Sequence, residues 1–485
     1  MSEGGLVRRL LILLLFCLVL AGGAAVTWQA MGQAKLVEDD LTTARALLSR
    51  AGGFESGKLT DRLVLIKQAE AHTLAARQRL GGWPLRLLGA LPLAGRDVRV
   101  ASAVTTSATG TVRATRKVVT ALQPVQTKPP TQTSITRAAD ALLALHGTLE
   151  QDLERVRAAR SLLTAATRDR YLEAASSAST TAERAGQGLK LAAGLYGPPG
   201  TARWFLAFQN PAELRGTGGL IGEYGILESS PSGPELVKIA HYTDLNQRTD
   251  QGVLLPKELV GRYERYAIGR DWSAVNVPPD MPTVGRLITE LYKDTTGDEI
   301  DGVIAADPLA VAEILRVAGP IQAGGAWLDA DNVAEETLVR AYVRYEADNT
   351  ARRGFLDEIA RASFEAFRRT LATKPVELIR NLGGAARARH VQVYVADPAG
   401  QRTVAGLGLS GSAAAPATGD YLMPVGINAG GNKLDAFLRR TVRWRVRLSE
   451  GSIPVLHSVI SRGSQGRSPG IRQPHVRRYF LMAPM

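Results

Sequence analysis

Cysteine is nearly absent from this chain of 485 residues, which contains only Cys17. A single thiol excludes a disulfide within the chain and a metal site built from several cysteines. A lipoprotein attachment is not expected, because bulky Phe16 precedes Cys17 and the apolar run continues past it. The six histidines are scattered without metal-site spacing. The sequence has no Walker A loop, nucleophile elbow or zinc-protease motif, so none of these enzyme classes is indicated.

Charge is missing from residues 10–31, which form an apolar stretch near the N-terminus. A helix needs about 20 such residues to cross a bilayer core. Arg8 and Arg9 lie before the stretch, which predicts a cytoplasmic segment over 1–9, a transmembrane helix over 10–31 and an exported remainder. The alternative is a cleaved signal peptide, with the small residues 21–25 as the cleavage region. Either interpretation places most of the chain outside the cytoplasm, and the first makes it a single-pass protein of the cell membrane.

The formal net charge is +13, and the basic residues do not form long runs. A basic protein can meet nucleic acid, anionic lipid or anionic polymer. Export argues against nucleic acid, which leaves lipid, an envelope polymer, or a solvated surface without a partner. The sequence leaves the oligomeric state open.

Two compositional regions follow the apolar stretch. Residues 32–197 are rich in Ala, Leu, Thr and Arg, and their leucines recur at helical spacing, as at Leu142, Leu145, Leu149 and Leu153. This predicts a membrane-proximal bundle of three to five helices that acts as a stalk. The leucines fit core packing of the bundle, with a partner-binding coiled coil as the alternative.

From residue 198 to 450 predicted strands alternate with helices, which is typical of a three-layer α/β/α domain. Strands are expected over 204–208, 220–227, 236–242, 301–306, 390–396 and 439–448, and helices over 282–292, 308–317, 332–345 and 353–371. Residues 451–485 contain no Asp or Glu. They are predicted to be a basic, poorly ordered tail, with anion binding as an alternative.

Residues 203–227 read RWFLAFQNPAELRGTGGLIGEYGIL, two apolar runs around a polar corner. This stretch resembles the bacterial envelope family DUF4012, whose function is unknown. Further matching motifs are Trp83-Pro84, the run 301–308, Gly319-Pro320, Gly419-Asp420-Tyr421 and the run 428–435. They extend the resemblance over roughly residues 80–450.

The resemblance also implies a fold similar to that of LytR-CpsA-Psr proteins. Those proteins transfer glycopolymers from a polyprenyl pyrophosphate to peptidoglycan, with Arg and Asp side chains and a divalent cation. On this similarity Asn210 and Arg215 stand at strand ends of the site, Arg352-Arg353 at an arginine-rich helix start, and Asp307 loosely at a further helix.

The chemistry of a pyrophosphate ligand defines the candidate site residues. Arginine forks bind phosphate oxygens, and a carboxylate can hold the Mg²⁺ that neutralises them. The ligand-binding candidates are Asn210, Arg215, Gly218, Gly219, Arg352 and Arg353. The catalytic candidates are Arg215, Glu213, Asp271, Arg352 and Arg353, with Glu213 or Asp271 as the metal ligand. The structural alternative is that Glu213 pairs with Arg215, the glycines form a tight turn and Asn210 caps a loop.

Two functions follow from these observations. We expect an exported, membrane-anchored scaffold or binding protein for envelope polymers, without catalysis. The alternative is a phosphotransferase or polyprenyl-pyrophosphate binder of the LytR-CpsA-Psr type, which attaches glycopolymer to peptidoglycan. The two differ in whether Arg215, Arg352 and Arg353 converge with an acid beside a lipid-sized apolar groove.

Overall fold

The computed structural model describes residues 3–52, 59–92, 94–127, 130–159, 165–247, 252–413, 423–447 and 455–464. The chain forms two compact units, one from residues 1–128 and 133–190, the other from residues 129–132 and 191–485.

The described part of the first unit is helical. Its helices are α1 (Glu3–Gly52), α2 (Leu59–Leu80), α3 (Trp83–Gly89), α4 (Ala94–Thr127), α5 (Gln132–Ala158) and α6 (Ala165–Ala193). Glycine or proline stands at the breaks between several of them, because these residues do not continue a helix. The described residues of the region predicted to be helical form six helices, more than the three to five expected.

Apolar and ionic contacts hold the first unit together. Leu149, Leu153 and Val156 are buried on one face of α5, so the helical stripe packs inside the unit. Ala44 of α1, Ile66 of α2 and Val112 of α4 are buried in one cluster. Asp40 of α1 bonds to two α2 side chains, His72 and Arg79, each at 2.9 Å. The α1–α2 pairing is therefore both apolar and ionic.

The predicted membrane span, residues 10–31, lies within α1. The side chains of residues 3–25 lie outside the described part of the chain. Among the described residues, no helix combines the length and the apolar character that a membrane crossing needs.

The second unit is mixed α/β. Its strands are β1 (Arg203–Arg215), β2 (Gly218–Glu228), β3 (Glu235–His241), β4 (Gly302–Ala306), β5 (Ile321–Ala323), β6 (Ala326–Leu328), β7 (Val391–Val395), β8 (Leu438–Arg447) and β9 (Val455–Ser464). Five form one sheet in the order β3-β2-β1-β4-β7, in which β1 and β4 are parallel and the other neighbours antiparallel. The remaining four form two hairpins, β5–β6 and β8–β9.

Helices of the second unit lie between and after these strands. They are α7 (Tyr242–Asn246), α8 (Lys257–Tyr263), α9 (Met281–Thr296), α10 (Pro308–Ala318), α11 (Val333–Glu335), α12 (Ala341–Arg344), α13 (Asn349–Thr373), α14 (Pro375–Arg387) and α15 (Pro398–Gly406). Aspartate caps begin the longer ones: Asp280 accepts the Thr283 amide before α9, and Asp348 accepts the Ala351 amide before α13.

Each face of the five-stranded sheet has its own core. Phe205, Ala207 and Tyr224 pack with the buried face of α9. The alternate residues of the same strands, such as Leu206 and Leu227, pack with Phe364 of α13 on the other face. This is the alternation that a strand buried on both faces requires. Helices therefore cover both faces of the sheet.

Two segments with a stated prediction differ from it in the structure. The helix predicted over 332–345 is interrupted by a π-helical turn, Glu336–Arg340, between α11 and α12. Residues 455–464, within the predicted tail, form β9 because their backbone pairs with the arginine-rich strand β8. The rest of that tail, 451–454 and 465–485, lies outside the described residues. The predicted strands of the main sheet and α9, α10 and α13 are confirmed.

Candidate functional site

A cavity of about 450 Å³ lies in the second unit, between one face of the sheet and helices α10 and α13. This volume is within the 300–1,000 Å³ range of small-molecule sites. Most of its wall is apolar, and includes Leu206, Leu227, Ile304, Val311, Leu356 and Ile359. An elongated apolar interior of this kind suits a hydrocarbon chain.

One face of α13 forms a wall of the cavity. Residues 352, 356, 359, 360, 363, 364 and 367 line it, which is the three- and four-residue spacing of a helix face. Arg352 and Phe367 are fifteen positions apart, so the lined face extends about 22 Å at 1.5 Å per residue. The wall therefore has an arginine end and an aromatic end.

A β-bulge shapes the opposite wall. Phe208 pairs with Glu223 and Gln209 with Ile221, which leaves Gly222 without a partner on β1. The extra residue shifts the alternation of β2, so that Gly222 and Glu223 both face the cavity. Glu223 also lies opposite His241 of β3. Cross-strand neighbours share a face, so the bulge places an acid and a histidine side by side in an apolar wall.

Six polar side chains lie together at the arginine end of the cavity. This polar end consists of Asn210, Glu223, His241, Tyr342, Arg352 and Arg353. The Asn210 amide donates to the Tyr342 hydroxyl at 3.0 Å. The Arg352 guanidinium lies over the Tyr342 ring, 4.6 Å from its centre. An amide, a phenol and a guanidinium are thus held together by direct contacts.

The two arginines are not neutralised by a carboxylate. Arg352 donates to the Asn349 side chain at 2.5 Å, and within the described part of the chain neither Arg352 nor Arg353 forms an ion pair. Arg353 is exposed. Guanidinium groups that lack a carboxylate partner are available to an anion.

Burial perturbs both titratable groups of the β2–β3 wall. Burial, with the nearby charge of Asp357, raises the pKa of Glu223 to about 8, although Arg353 and Arg352 lower it in part. Glu223 is half-buried, and its exposed part faces the cavity. Burial and the charge of Arg353 lower the pKa of His241 to about 4. At neutral pH the wall therefore carries a largely protonated acid and a neutral imidazole.

Arg215 and Glu213 belong to a separate network, which we call the β1–β2 clamp: Glu213, Leu214, Arg215, Asn428, Lys433 and Asp435. The Arg215 guanidinium donates to Glu213 at 3.1 Å and to the Asn428 carbonyl at 3.0 Å. Lys433 donates to the other Glu213 oxygen at 3.0 Å. Asp435 accepts the Leu214 amide at 3.1 Å. The polar corner is thus tied to a loop more than 200 residues later in the chain.

Glycines in the corner allow close backbone approach. Gly218 has a φ of 147°, a conformation that L-residues rarely adopt. A Cβ on Gly219 would lie 2.1 Å from the carbonyl of Asn210. Thr217 accepts side-chain hydrogen bonds from Gln209 at 2.7 Å and from Asn276 at 3.0 Å. The polar corner therefore forms a tight turn.

Residues 199–342 match the DUF4012 family. The family is described as a protein of unknown function. Neither the curated proteins nor the solved structures contain a match to the chain. The matched DUF4012 segment is shorter than the 80–450 span of the sequence resemblance. It includes Asn210, Glu223, His241 and Tyr342 of the polar end, and it stops before Arg352.

The predicted site residues divide between two places in the second unit. Asn210, Arg352 and Arg353 line the cavity at its polar end. Glu213 and Arg215 belong to the β1–β2 clamp, and Gly218 and Gly219 form the turn. The three arginines therefore do not converge: two reach the cavity, and Arg215 is held by clamp partners.

The two predicted metal ligands are occupied by other contacts. Asp271 accepts the Ser273 amide at 2.9 Å and the Asn246 amide at 3.1 Å, which stabilises a turn. Glu213 is bonded to Arg215 and Lys433. In the described part of the chain, no group of three or more His, Cys, Asp or Glu side chains is placed to hold a metal.

Asp307 lines the cavity, but its carboxylate is fully used. It accepts the Leu309 amide at 2.9 Å and the Ala310 amide at 3.1 Å as the cap of α10. Its other oxygen accepts from His390 at 2.7 Å, a contact that raises the pKa of His390. Asp307 therefore positions α10.

Sequence reasoning missed Glu223, His241 and Tyr342. A signal for Glu223 was present, because it is a lone acid inside the apolar run 220–227. An acid inside a buried strand is unusual unless it has a partner or a function. His241 and Tyr342 gave no comparable local signal, since each becomes a cavity residue only through long-range packing.

Proposed function

We propose that the second unit binds a lipid that carries a phosphate, with the chain in the cavity and the phosphate at Arg352 and Arg353. The observation that carries this proposal is the combination of a long apolar cavity with two guanidinium groups, unpaired with carboxylate, at one end. Planar guanidinium groups bind phosphate oxygens through paired hydrogen bonds. A polyprenyl phosphate or pyrophosphate has both required parts.

A binding role agrees with the non-catalytic expectation for this chain. The protein would hold a lipid-linked envelope polymer, or its carrier lipid, without changing it. A phosphotransferase of the LytR-CpsA-Psr type is the second candidate, and the observation in its favour is the acid Glu223 next to the two arginines. In that function Mg²⁺ would neutralise the pyrophosphate, and peptidoglycan would be the acceptor.

Location at the cell envelope is part of the same proposal. Arg8 and Arg9 before the uncharged residues 10–31 support an anchor with the N-terminus inside and the second unit outside. Protease treatment of intact cells tests it. Digestion of the second unit in intact cells supports export, and protection until the cells are lysed contradicts it.

Mass spectrometry of co-purifying lipids tests the binding function. We would compare the wild type with the double variant Arg352→Ala, Arg353→Ala. The matched control is Arg369→Ala, which removes an exposed arginine of α13 outside the cavity. We expect phosphate-bearing lipid with the wild type and the control, and at least a tenfold loss in the double variant.

Two outcomes decide against the proposal. A folded wild-type protein that retains no lipid contradicts binding. Equal retention by the wild type and the double variant contradicts the role of the arginines. Incubation of the protein, loaded with a polyprenyl-pyrophosphate-linked glycopolymer, with Mg²⁺ and peptidoglycan separates the two candidates. Attachment of the phosphoglycan to peptidoglycan with release of polyprenyl monophosphate indicates a transferase, and an unchanged lipid indicates a binding protein.

A further inference from the structure

Glu223 is an acid in the cavity wall without a bonding partner. No hydrogen bond or ion pair joins its carboxyl to another residue in the described part of the chain. Polar groups inside proteins are nearly always paired, so an unpaired carboxyl that faces a cavity needs an explanation. A bound ligand that contacts the carboxyl would supply one.

Glu223 is next to side chains from three neighbouring elements. α13 contributes Arg352, Arg353 and Asp357, which all act on its charge. β3 contributes His241 directly opposite, and β1 contributes the uncharged Phe208. The His241 Nδ1 accepts the Thr243 amide at 3.3 Å, and this imidazole is neutral near pH 7. The local charge therefore depends on the arginines, Asp357 and Glu223.

We propose that Glu223 touches the phosphate of the bound lipid in its protonated form, donating a hydrogen bond, and so selects an anionic headgroup and ties its binding to proton uptake. This inference rests on the proposed function. A carboxylic acid that donates to a phosphate oxygen forms a short, charge-assisted hydrogen bond. A carboxylate in the same place repels the phosphate.

The charge balance at the polar end leads to the same conclusion. With Glu223 neutral, the two arginines outnumber the single charge of Asp357, so the site attracts an anion. When Glu223 ionises, a second negative charge is added beside the two arginines. The anion then loses a hydrogen-bond donor and is repelled by the added negative charge. Binding is expected to be tight when Glu223 carries its proton and weak when it does not.

Binding of lysophosphatidylglycerol to the full-length protein, at pH 6.5 and pH 9.5 in a fixed non-ionic detergent, tests this inference. This single-chain probe is a phosphodiester, so its own charge is constant over the range. We expect the wild type to bind about tenfold more weakly at pH 9.5. Glu223→Gln keeps a donor and cannot ionise, so it is expected to bind within threefold of the wild type at pH 6.5 and equally at both pH values.

Glu235→Gln is the matched control, because it changes an exposed glutamate of β3 outside the cavity. It should retain the pH dependence of the wild type. The inference is overturned if wild-type binding is the same at both pH values, if Glu223→Gln still weakens at pH 9.5, or if folded Glu223→Gln does not bind at pH 6.5. Failure of the proposed function looks different: the wild type then binds at neither pH, or the double arginine variant binds as well as the wild type.

Discussion

Arg215 and Glu213 form a buried ion pair, with 3.1 Å between guanidinium nitrogen and carboxylate oxygen and 10% of each side chain exposed. The pair lies two residues apart on one strand, and Lys433 contacts the same carboxylate from a distant loop. The Glu213 carboxylate thus binds two cations of the chain and stabilises the fold. The charged pair of the polar corner therefore supports the fold beside the cavity.

Arg215→Ala should destabilise the second unit by about 3–5 kcal/mol, because Glu213 and the Asn428 carbonyl lose a buried partner. Urea unfolding measures the change. The exposed Arg369→Ala serves as the control, with an expected effect within about 0.5 kcal/mol. An Arg215→Ala effect below about 1 kcal/mol would contradict the clamp.

Gly219→Ala should cost about 3 kcal/mol or prevent folding, since the new methyl would overlap the backbone of Asn210. Gly222→Ala, in the same strand, has nothing within 4 Å of its new Cβ and should cost less than about 1 kcal/mol. Thermal unfolding of the two variants provides the comparison. Equal melting temperatures would show that the tight corner is not required.

The pKa values of His241 and His390 should be shifted in opposite directions from the usual histidine value, downward for His241 and upward for His390. NMR of labelled histidines should find His241 neutral down to about pH 4, and His390 protonated above its ordinary pKa of about 6.5. For His390 the folded pKa is raised, so its stabilising contribution is complete below about pH 6.5 and is lost as the pH rises through the folded value. His390→Gln should therefore lower the free energy of unfolding more at pH 6 than at pH 9. An equal loss at both would contradict the pairing with Asp307.

Leu356→Trp should block the cavity. The residue lines the cavity from α13, and an indole there would occupy space that the proposed lipid chain needs. We expect at least a fivefold loss of co-purifying lipid with a normal circular dichroism spectrum. Leu309→Trp is the control, because Leu309 is 40% exposed and is not part of the cavity wall. Retention of lipid at the wild-type level by Leu356→Trp would place the ligand elsewhere.

Local periodicity was sufficient to predict the sheet strands and the long helices. Strand alternation around Phe205 and Leu206, and the Asp-Pro start of α10, are local signals that tertiary packing reinforced. The π-helical turn and β9 escaped prediction, because one depends on packing within a helix and the other on a pairing partner. Composition alone could not indicate that partner.

The candidate site was predictable only in part, for a geometric reason. Arg352-Arg353 stood out as adjacent charges at a helix start, and they do reach the cavity. Arg215 has the same guanidinium group and lies in the stretch that carries the family resemblance. Its position on β1 nevertheless places it in the clamp. Which arginine meets the cavity is decided by contacts among residues 210, 342 and 352, and the sequence places residue 210 more than 100 positions before the other two.

Lys433 contacts both the Glu213 carboxylate and the Tyr342 ring, at 3.0 Å and 5.0 Å. The smallest autonomous piece of this protein must therefore reach past the family match. A fragment cut to residues 199–342 would lack α13, β7 and the loop that satisfies Leu214 and Arg215. Recombinant work on the segment that matches DUF4012 should retain the chain to at least residue 437, so that the polar corner keeps the partners that hold it in place.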